Sequence, residues 1–288
     1  MRQRLALLTS LVLVLTACSN GAPSDEPDAT PTSATPTATA TPTDQATSTV
    51  RVWVARATPD AVWVEPWEST GARTMAPARQ AFEHLLSVPP DNPALATMAP
   101  EGTELRGVDI DRDTGVLTVD LSQEVDLPGT GHSSTEEVAF AQQLAYTATQ
   151  FAGVRSVRVW IEGEPIEELW GHLDWSRPIE PDPFALTPIT IEEPRWGFRR
   201  EGVGPLTASG QANTFEATLA VRLIDPDGEV VEEEWITATS GSGTRGTWTY
   251  EFGPLGKRGT WVIEAEEPDP SDGEGRDPLI VRTEFRIT

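Results

Sequence analysis

The sequence is poor in the residues that usually carry catalysis or metal binding. It has one cysteine, and its three histidines, His84, His132 and His172, are too far apart for a His-x-x-x-His zinc motif. It also lacks a Walker loop, a dinucleotide-binding fingerprint and a Gly-x-Ser-x-Gly elbow. A glycosidase would need two carboxylates at a set separation, which an acid-rich sequence neither supports nor excludes. We therefore expect no enzyme activity and no cofactor.

Basic residues are also scarce. The chain has 21 lysines and arginines against 45 aspartates and glutamates, so its formal net charge is −24. A surface of this sign repels phosphate groups, which argues against nucleic acid and anionic lipid as the main partner. Such a surface could attract divalent cations, but solvation alone explains the same composition.

The apolar run Leu5–Leu15 follows two arginines and is too short for a stable membrane span. As a helix, its 11 residues reach about 16 Å, roughly half of the ~30 Å hydrocarbon layer. This pattern predicts a secretory signal. The residues Leu15-Thr16-Ala17-Cys18 resemble the lipobox of bacterial lipoproteins, which implies cleavage between Ala17 and Cys18 and attachment of acyl chains, such as palmitate, to Cys18. An ordinary signal peptide with a coincidental cysteine is the alternative.

Composition divides the chain into five segments. Residues 18–49 are mostly Thr, Pro, Ala, Ser and Asp, which bury too little apolar surface to offset the entropy of ordering, so we predict a disordered tether. About 240 residues follow, enough for two domains. The predicted boundaries are a signal peptide at 1–17, the tether at 18–49, an α+β domain at 50–164, a Trp/Pro-rich connector at 165–188 and an all-β domain at 189–288.

The strands of the first domain are indicated by short segments rich in β-branched and aromatic residues. Val50–Ala55 and Ala61–Glu65 form one such pair. Asp111–Gly115 lies between the two arms of a predicted hairpin, and Val154–Ile161 follows as a further strand. The alternation of apolar and polar residues predicts one buried and one solvated face.

Two helices complete the first domain. Apolar residues recur at helical spacing over residues 74–86. Ser134 and Glu137 have the spacing of a capping box and predict the start of a second helix. The predicted buried stripe of this helix is Phe140, Leu144, Ala148 and Phe151. We expect both helices to pack on one sheet, which is an α+β fold.

The second domain shows about seven short strands in about 100 residues, which predicts an immunoglobulin-like β-sandwich. Segments 218–224 and 229–239 flank Asp225–Gly228, a turn that contains both proline and glycine. The Cys…Trp…Cys signature of antibody domains is absent. The prediction is therefore a sandwich of a different type.

Three blocks of the first domain resemble the GerMN domain: Gly115–Ser122, Gln143–Phe151 and Val157–Gly163. This domain occurs in spore-germination and sporulation lipoproteins and in actinobacterial lipoproteins linked to sensor kinases. The resemblance implies an extracytoplasmic module without known catalysis. It also implies a likeness to ring-building envelope modules, so an oligomer remains an open alternative by analogy.

The second domain resembles the immunoglobulin-like domain of bacterial spore-germination proteins. The residues that carry this likeness are Gly210–Glu216, the Asp227-Gly228 turn, Phe252 and Ser271–Gly273. Relatives occur in non-sporulating bacteria, so the resemblance does not by itself imply sporulation. Neither family supplies catalytic residues that could be transferred to this chain.

Two acidic segments invite a calcium-binding interpretation. Asp109, Asp111, Asp113 and Asp120 occupy positions one, three, five and twelve of a calcium-loop pattern. However, the glycine falls at position seven, and the strand alternation favours a hairpin. Residues 266–277 form a second acidic segment, for which a solvated loop is the preferred interpretation. We therefore predict no metal site.

Three further features have a structural and a functional interpretation. Trp170 and Trp175 either pack on the first domain, which we prefer, or form a platform for sugar rings. His132 precedes two serines and suggests a hydrolase pair, but those serines fit helix capping. Glu216 is expected to fix a turn rather than to bind a ligand. No ligand-binding residue can be assigned from the sequence.

The sequence thus predicts a non-catalytic binding or scaffold protein at the extracytoplasmic face of the cell membrane. Acyl chains on Cys18 would hold it there, and an envelope protein is the expected partner. A module that binds peptidoglycan or another wall glycan is the alternative. A wall hydrolase is a third and weaker candidate.

Overall fold

The computed structural model describes residues 46–127, 132–267, 269 and 277–288. The predicted signal peptide, the cleavage and lipidation residues Ala17 and Cys18, nearly all of the tether and most of the acidic segment 266–277 lie outside the described residues. Gln45–Thr288 form one compact unit. Among the helices of the described ranges, none combines the length with the apolarity that a membrane crossing requires.

The strands of the first domain form two sheets, where the sequence suggested one. These strands are β1 (Thr47–Ala57), β2 (Val62–Ala72), β3 (Leu95–Ala96), β4 (Leu105–Asp111), β5 (Val116–Leu121), β6 (Ser156–Ile161) and β7 (Glu164–Pro165). Their orders are β2-β1-β3 and β4-β5-β6-β7, and only β5 and β6 run parallel. The sheets stay separate because β1 is paired on both edges, and β2 bridges to Leu186.

Both predicted helices are present, as α1 (Pro77–Ser87) and α2 (Ser134–Thr149). The capping box of α2, however, lies one residue earlier than predicted. Ser133 N donates to Glu136 Oε2 at 2.7 Å, and Glu136 N donates to Ser133 Oγ at 3.2 Å. Both candidate pairs have the same spacing, but Ser133 is the residue with the extended backbone of an N-cap. The prediction of Ser134 and Glu137 was therefore wrong, and Glu137 is buried instead.

Helix α2 forms the centre of the first domain. It contacts β1 and β2 of one sheet and β6 of the other. Phe140, Leu144 and Ala148 of the predicted stripe are fully buried, whereas Phe151 is only partly buried. Burial of a Leu or Phe side chain contributes about 1.5–3 kcal/mol, so this helix ties both sheets to one core.

The second domain is a sandwich of two sheets, as predicted. The strands are β8 (Ile189–Glu193), β9 (Phe198–Arg200), β10 (Leu206–Ala212), β11 (Thr218–Ile224), β12 (Val230–Thr237), β13 (Gly246–Phe252), β14 (Gly259–Glu266) and β15 (Ile280–Ile287). Their orders are β13-β10-β8 and β12-β11-β14-β15-β9. Trp248, Phe252, Trp261 and Phe285 are buried between the sheets. Such aromatic burial replaces the disulfide that this sequence lacks.

One turn and one strand irregularity of the sandwich require particular residues. Asp225 Oδ1 accepts hydrogen bonds from Asp227 N at 2.9 Å and Glu229 N at 3.1 Å, which closes the predicted β11–β12 hairpin. Gly210 lies at an irregularity between β10 and β8, where a Cβ atom would lie 1.9 Å from Thr190 O. Only glycine fits there.

The connector continues the fold of the first domain and joins it to the second. Ile179 exchanges backbone hydrogen bonds with Val157 at the end of the first domain. Thr187 N then donates to Val64 O at 2.9 Å. Trp63 packs against the core of the second domain. The two domains are therefore joined by packed side chains as well as by the chain itself.

Candidate functional site

The carboxylate of Glu137 is fully buried at the start of α2 and organises the connector loop. It accepts hydrogen bonds from Trp175 Nε1 at 2.7 Å, His172 N at 2.8 Å, His172 Nδ1 at 2.9 Å and Trp170 N at 3.3 Å. Burial raises the pKa of Glu137, but these hydrogen bonds together lower that pKa below its ordinary value. Glu137 is therefore ionised at neutral pH, and His172 Nδ1 carries a proton.

A carboxylate that orients a histidine is also found in catalytic triads and behind metal ligands. Here the neighbouring groups do not complete either site. Ser176 Oγ donates to Asp174 Oδ1 at 2.5 Å rather than to His172. Within the described residues, no three His, Cys, Asp or Glu side chains are grouped to hold a metal ion. The geometry assigns Glu137 the role of fixing the loop that follows β7.

The same loop decides between the two interpretations of its tryptophans. Trp175 is only 1% exposed, so it cannot stack on a sugar. Trp170 lies between His132, at a ring-centroid distance of 3.7 Å, and Phe140, at 5.2 Å. The predicted packing role is confirmed for both tryptophans. His132 is thereby a stacking partner of Trp170, and the serine that follows it is the N-cap of α2.

The remaining predicted site residues also have structural roles. Asp109, Asp111 and Asp113 lie along the β4–β5 hairpin, where Asp111 Oδ1 accepts from the amide of Asp113 at 2.9 Å. Asp120 lies on β5, and its Oδ1 accepts from Gly163 N at 3.0 Å. Glu216 has a φ of 53°, and its amide donates to Ser242 Oγ at 3.0 Å. Glu216 therefore forms part of a strained turn, as the sequence suggested.

One serine–histidine contact was not anticipated from the sequence. Ser69 Oγ and His84 Nδ1 lie 2.5 Å apart, and burial lowers the pKa of His84. No carboxylate is hydrogen-bonded to the other ring nitrogen within the described part of the chain, so the third member of a triad is missing. This contact links α1 to β2.

Polar side chains of α2 bind backbone groups in β1, in and just after β3, and in the connector. Gln143 accepts from Met98 N at 2.9 Å and donates to Ala96 O at 3.1 Å. Gln142 accepts from Asp182 N at 2.8 Å. Thr147 Oγ1 accepts from the amide of Trp53 at 3.1 Å. These side chains satisfy backbone groups that would otherwise be buried without partners.

A cleft of about 380 Å³ lies between the two domains. On its wall, Glu68 binds Arg51 at 3.0 and 2.5 Å and also binds Arg195 of the second domain at 2.6 Å. Arg56 and Glu65 form a buried bidentate pair at 2.7 and 3.0 Å. Both carboxylates are therefore paired with arginine side chains. The Glu68–Arg195 ion pair joins the two domains at this cleft.

Both domains match family profiles. Residues 27–167 match the profile described as sporulation and spore germination, and residues 188–274 match the immunoglobulin-like domain of bacterial spore germination. These matches confirm both resemblances found in the sequence. No curated protein sequence matches the chain.

Several solved structures are similar to parts of the chain. The tandem GerMN domains of the sporulation protein GerM from Bacillus subtilis are 16% identical, with a TM-score of 0.40, over 66% of this chain and 59% of that one. The first GerMN domain of GerM alone is 21% identical, with a TM-score of 0.36, over 47% and 96%. A putative lipoprotein from Clostridium perfringens is 20% identical, with a TM-score of 0.34, over 46% and 87%. The match thus spans 59% of the tandem-domain structure.

Proposed function

The chain is a GerMN-type spore germination protein with a C-terminal immunoglobulin-like domain, and on that premise we propose that it is a non-catalytic scaffold of the bacterial cell envelope. In this proposal, acyl chains on Cys18 hold it at the extracytoplasmic face of the cell membrane, where it binds an envelope protein. The anchor is supported by the Leu15–Cys18 quartet and by the tether of residues 18–49.

The observation that carries the scaffold role is the construction of the two domains as one body. Gln45–Thr288 are compact as a unit, and Glu68 binds an arginine from each domain. Because the two domains are packed together, their two different surfaces are presented by one compact unit. This arrangement suits a protein that holds binding partners in place. Glu65 and Glu68 of the cleft and Glu137 of the connector loop are each engaged in structural bonds, which supports a role without catalysis.

The anchor can be tested by labelling cells with radioactive palmitate and separating membrane from soluble fractions. The wild-type chain should carry the label and sediment with membranes. The Cys18→Ala variant should carry no label and should leave the membrane fraction. Label that persists in this variant, or an unlabelled wild-type chain, would contradict lipidation of Cys18.

Incubation of the full-length chain with purified wall sacculi distinguishes a hydrolase from a scaffold. A scaffold releases no soluble fragments over the time in which a control hydrolase digests the sacculi. Turnover that is abolished by a single carboxylate substitution would overturn the proposal.

A further inference from the structure

Three aromatic side chains gather beside the domain junction. Trp53 stacks on Tyr146 with ring centroids 5.8 Å apart, and Tyr146 Oη donates to Asp182 O at 3.0 Å. Two residues further on, Phe184 is 76% exposed in a short turn that is fixed by its amide bonding to Asp182 Oδ1 at 2.9 Å. Because the side chain of Phe184 stays exposed, it contributes little hydrophobic free energy to folding. The stability of the fold therefore does not explain an aromatic residue at this position.

An arginine without a carboxylate partner lies beside these rings. Arg245 is partly buried and donates one hydrogen bond to Thr187 O at 2.7 Å. Burial lowers the pKa of Arg245, and the charges of Tyr146, Glu192 and Glu65 oppose that effect. Among the described residues, no carboxylate forms an ion pair with it. The nearby charges of Glu65 and Glu192 act on it, but both carboxylates are bonded to other side chains. Burying part of a cationic side chain costs desolvation free energy, which an ion pair with an anion offsets.

The face is unsuited to two other classes of ligand. A peptide could add as a strand only at a free edge, but Thr147 accepts from Trp53 N at 3.1 Å and Gln150 donates to Arg51 O at 3.0 Å. These side chains, one from α2 and one from its C-cap residue, occupy part of the β1 edge that β3 leaves unpaired. Nucleic acid can stack on aromatic rings, but its phosphates are repelled by a chain with a net charge of −24.

We propose that Trp53, Tyr146, Phe184 and Arg245 form a binding site for an anionic saccharide. The apolar faces of sugar rings would pack on the exposed aromatic surface, and an acidic substituent would pair with the Arg245 guanidinium. The acidic group that we expect is a carboxylate of peptidoglycan, because the net charge of −24 disfavours the phosphate-rich polymers attached to it. This ligand is additional to the protein partner of the proposed scaffold and does not depend on it.

Sedimentation of the full-length chain in detergent with purified sacculi tests the site. Sacculi are used with and without their phosphate polymers, and chitin provides an uncharged sugar polymer. The test variants are Phe184→Ala and Arg245→Gln, the second of which keeps a donor for Thr187 O. The matched controls are Trp235→Ala, which removes a 53% exposed aromatic side chain on β12, and Arg286→Ala, which removes an exposed arginine on β15.

We expect each test variant to bind sacculi about tenfold more weakly than the wild type, and the controls to bind normally. Binding that survives removal of the phosphate polymers supports a carboxylate ligand, and binding that requires them contradicts it. The proposal is overturned by absence of wild-type binding, by equal binding to chitin, or by a loss as large in the controls. Failure here leaves the scaffold proposal intact, because that proposal concerns a protein partner.

Discussion

Substitution of Glu137 tests whether one buried carboxylate holds the connector loop on the first domain. Glu137→Ala removes the acceptor of four hydrogen bonds, including the 2.7 Å bond from the indole of Trp175. Glu137→Gln keeps one acceptor oxygen but replaces the other with an amide donor that faces donors. Both variants should therefore loosen the loop, and the alanine variant should loosen it more.

The size of the effect follows from which donors water can reach. A hydrogen bond to a charged group contributes about 1.5–3 kcal/mol. Trp175 is 1% exposed and loses the whole bond, whereas the side chain of His172 is 39% exposed and can be rehydrated. We count two of the four hydrogen bonds as lost in full, the Trp175 indole bond and one backbone-amide bond. On that basis we expect Glu137→Ala to lower the free energy of unfolding by about 3–5 kcal/mol. The value for Glu137→Gln should be about 2 kcal/mol.

Urea unfolding followed by circular dichroism and tryptophan fluorescence measures these values by linear extrapolation. The matched control is Glu136→Gln, one residue earlier, where glutamine can still form the capping box. Because the folded-state pKa of Glu137 lies below its ordinary value of 4.5, its stabilising effect is present above that pH. The effect should disappear as the pH falls through the lower folded-state pKa.

The reasoning is refuted if Glu137→Gln unfolds at the same urea concentration as Glu136→Gln at pH 7. It is also refuted if the difference between Glu137→Gln and the wild type grows below pH 4.5, since a depressed pKa requires the opposite sign. Hydrogen exchange gives an independent readout. The amides of Trp170 and His172 should exchange faster in Glu137→Gln, because their acceptor is weakened.

Three further predictions concern stability and share the urea assay. Ser133→Ala should cost about 1 kcal/mol and Ser134→Ala much less, because only Ser133 caps α2; equal costs would contradict this assignment. Arg56→Ala should cost about 3–5 kcal/mol by leaving Glu65 buried without its partner, and replacing both with apolar residues should recover most of that loss. Gly210→Ala should destabilise the second domain strongly, because its Cβ would overlap a backbone carbonyl 1.9 Å away; an unchanged unfolding midpoint would contradict the described register.

Much of the fold could be predicted from the sequence because local signals agreed with the final structure. The β11–β12 hairpin follows from Asp225–Gly228, where Asp225 Oδ1 accepts from the nearby amides of Asp227 and Glu229. The stripe of α2 was visible because Phe140, Leu144 and Ala148 recur at helical spacing and are all buried. Such features depend on residues close in sequence, so no tertiary information was needed.

The polar core of the first domain could not be predicted, because its partners are distant in sequence. Gln142 and Gln143 have the composition of a solvated helix face, yet both are buried and bind backbone groups about 40 residues away. The shift of the capping box had a local signal in Ser133 and Glu136, which have the same spacing as the pair first chosen. Arg245 carries no sequence signal at all, since its lack of a carboxylate partner emerges only from the packing of two domains.

Photo-cross-linking in living cells tests the central claim most directly. Lys257 is the only lysine in the sequence, so amine-reactive reagents are unsuitable, and a photoreactive phenylalanine analogue is placed instead. Suitable positions are Met75, which is fully exposed in the first domain, and Trp235, which is 53% exposed in the second. The account predicts adducts with specific envelope proteins, identified by mass spectrometry, that are lost when Cys18→Ala is added. An absence of adducts at both positions, or the same adducts without the anchor, would contradict a membrane-held scaffold.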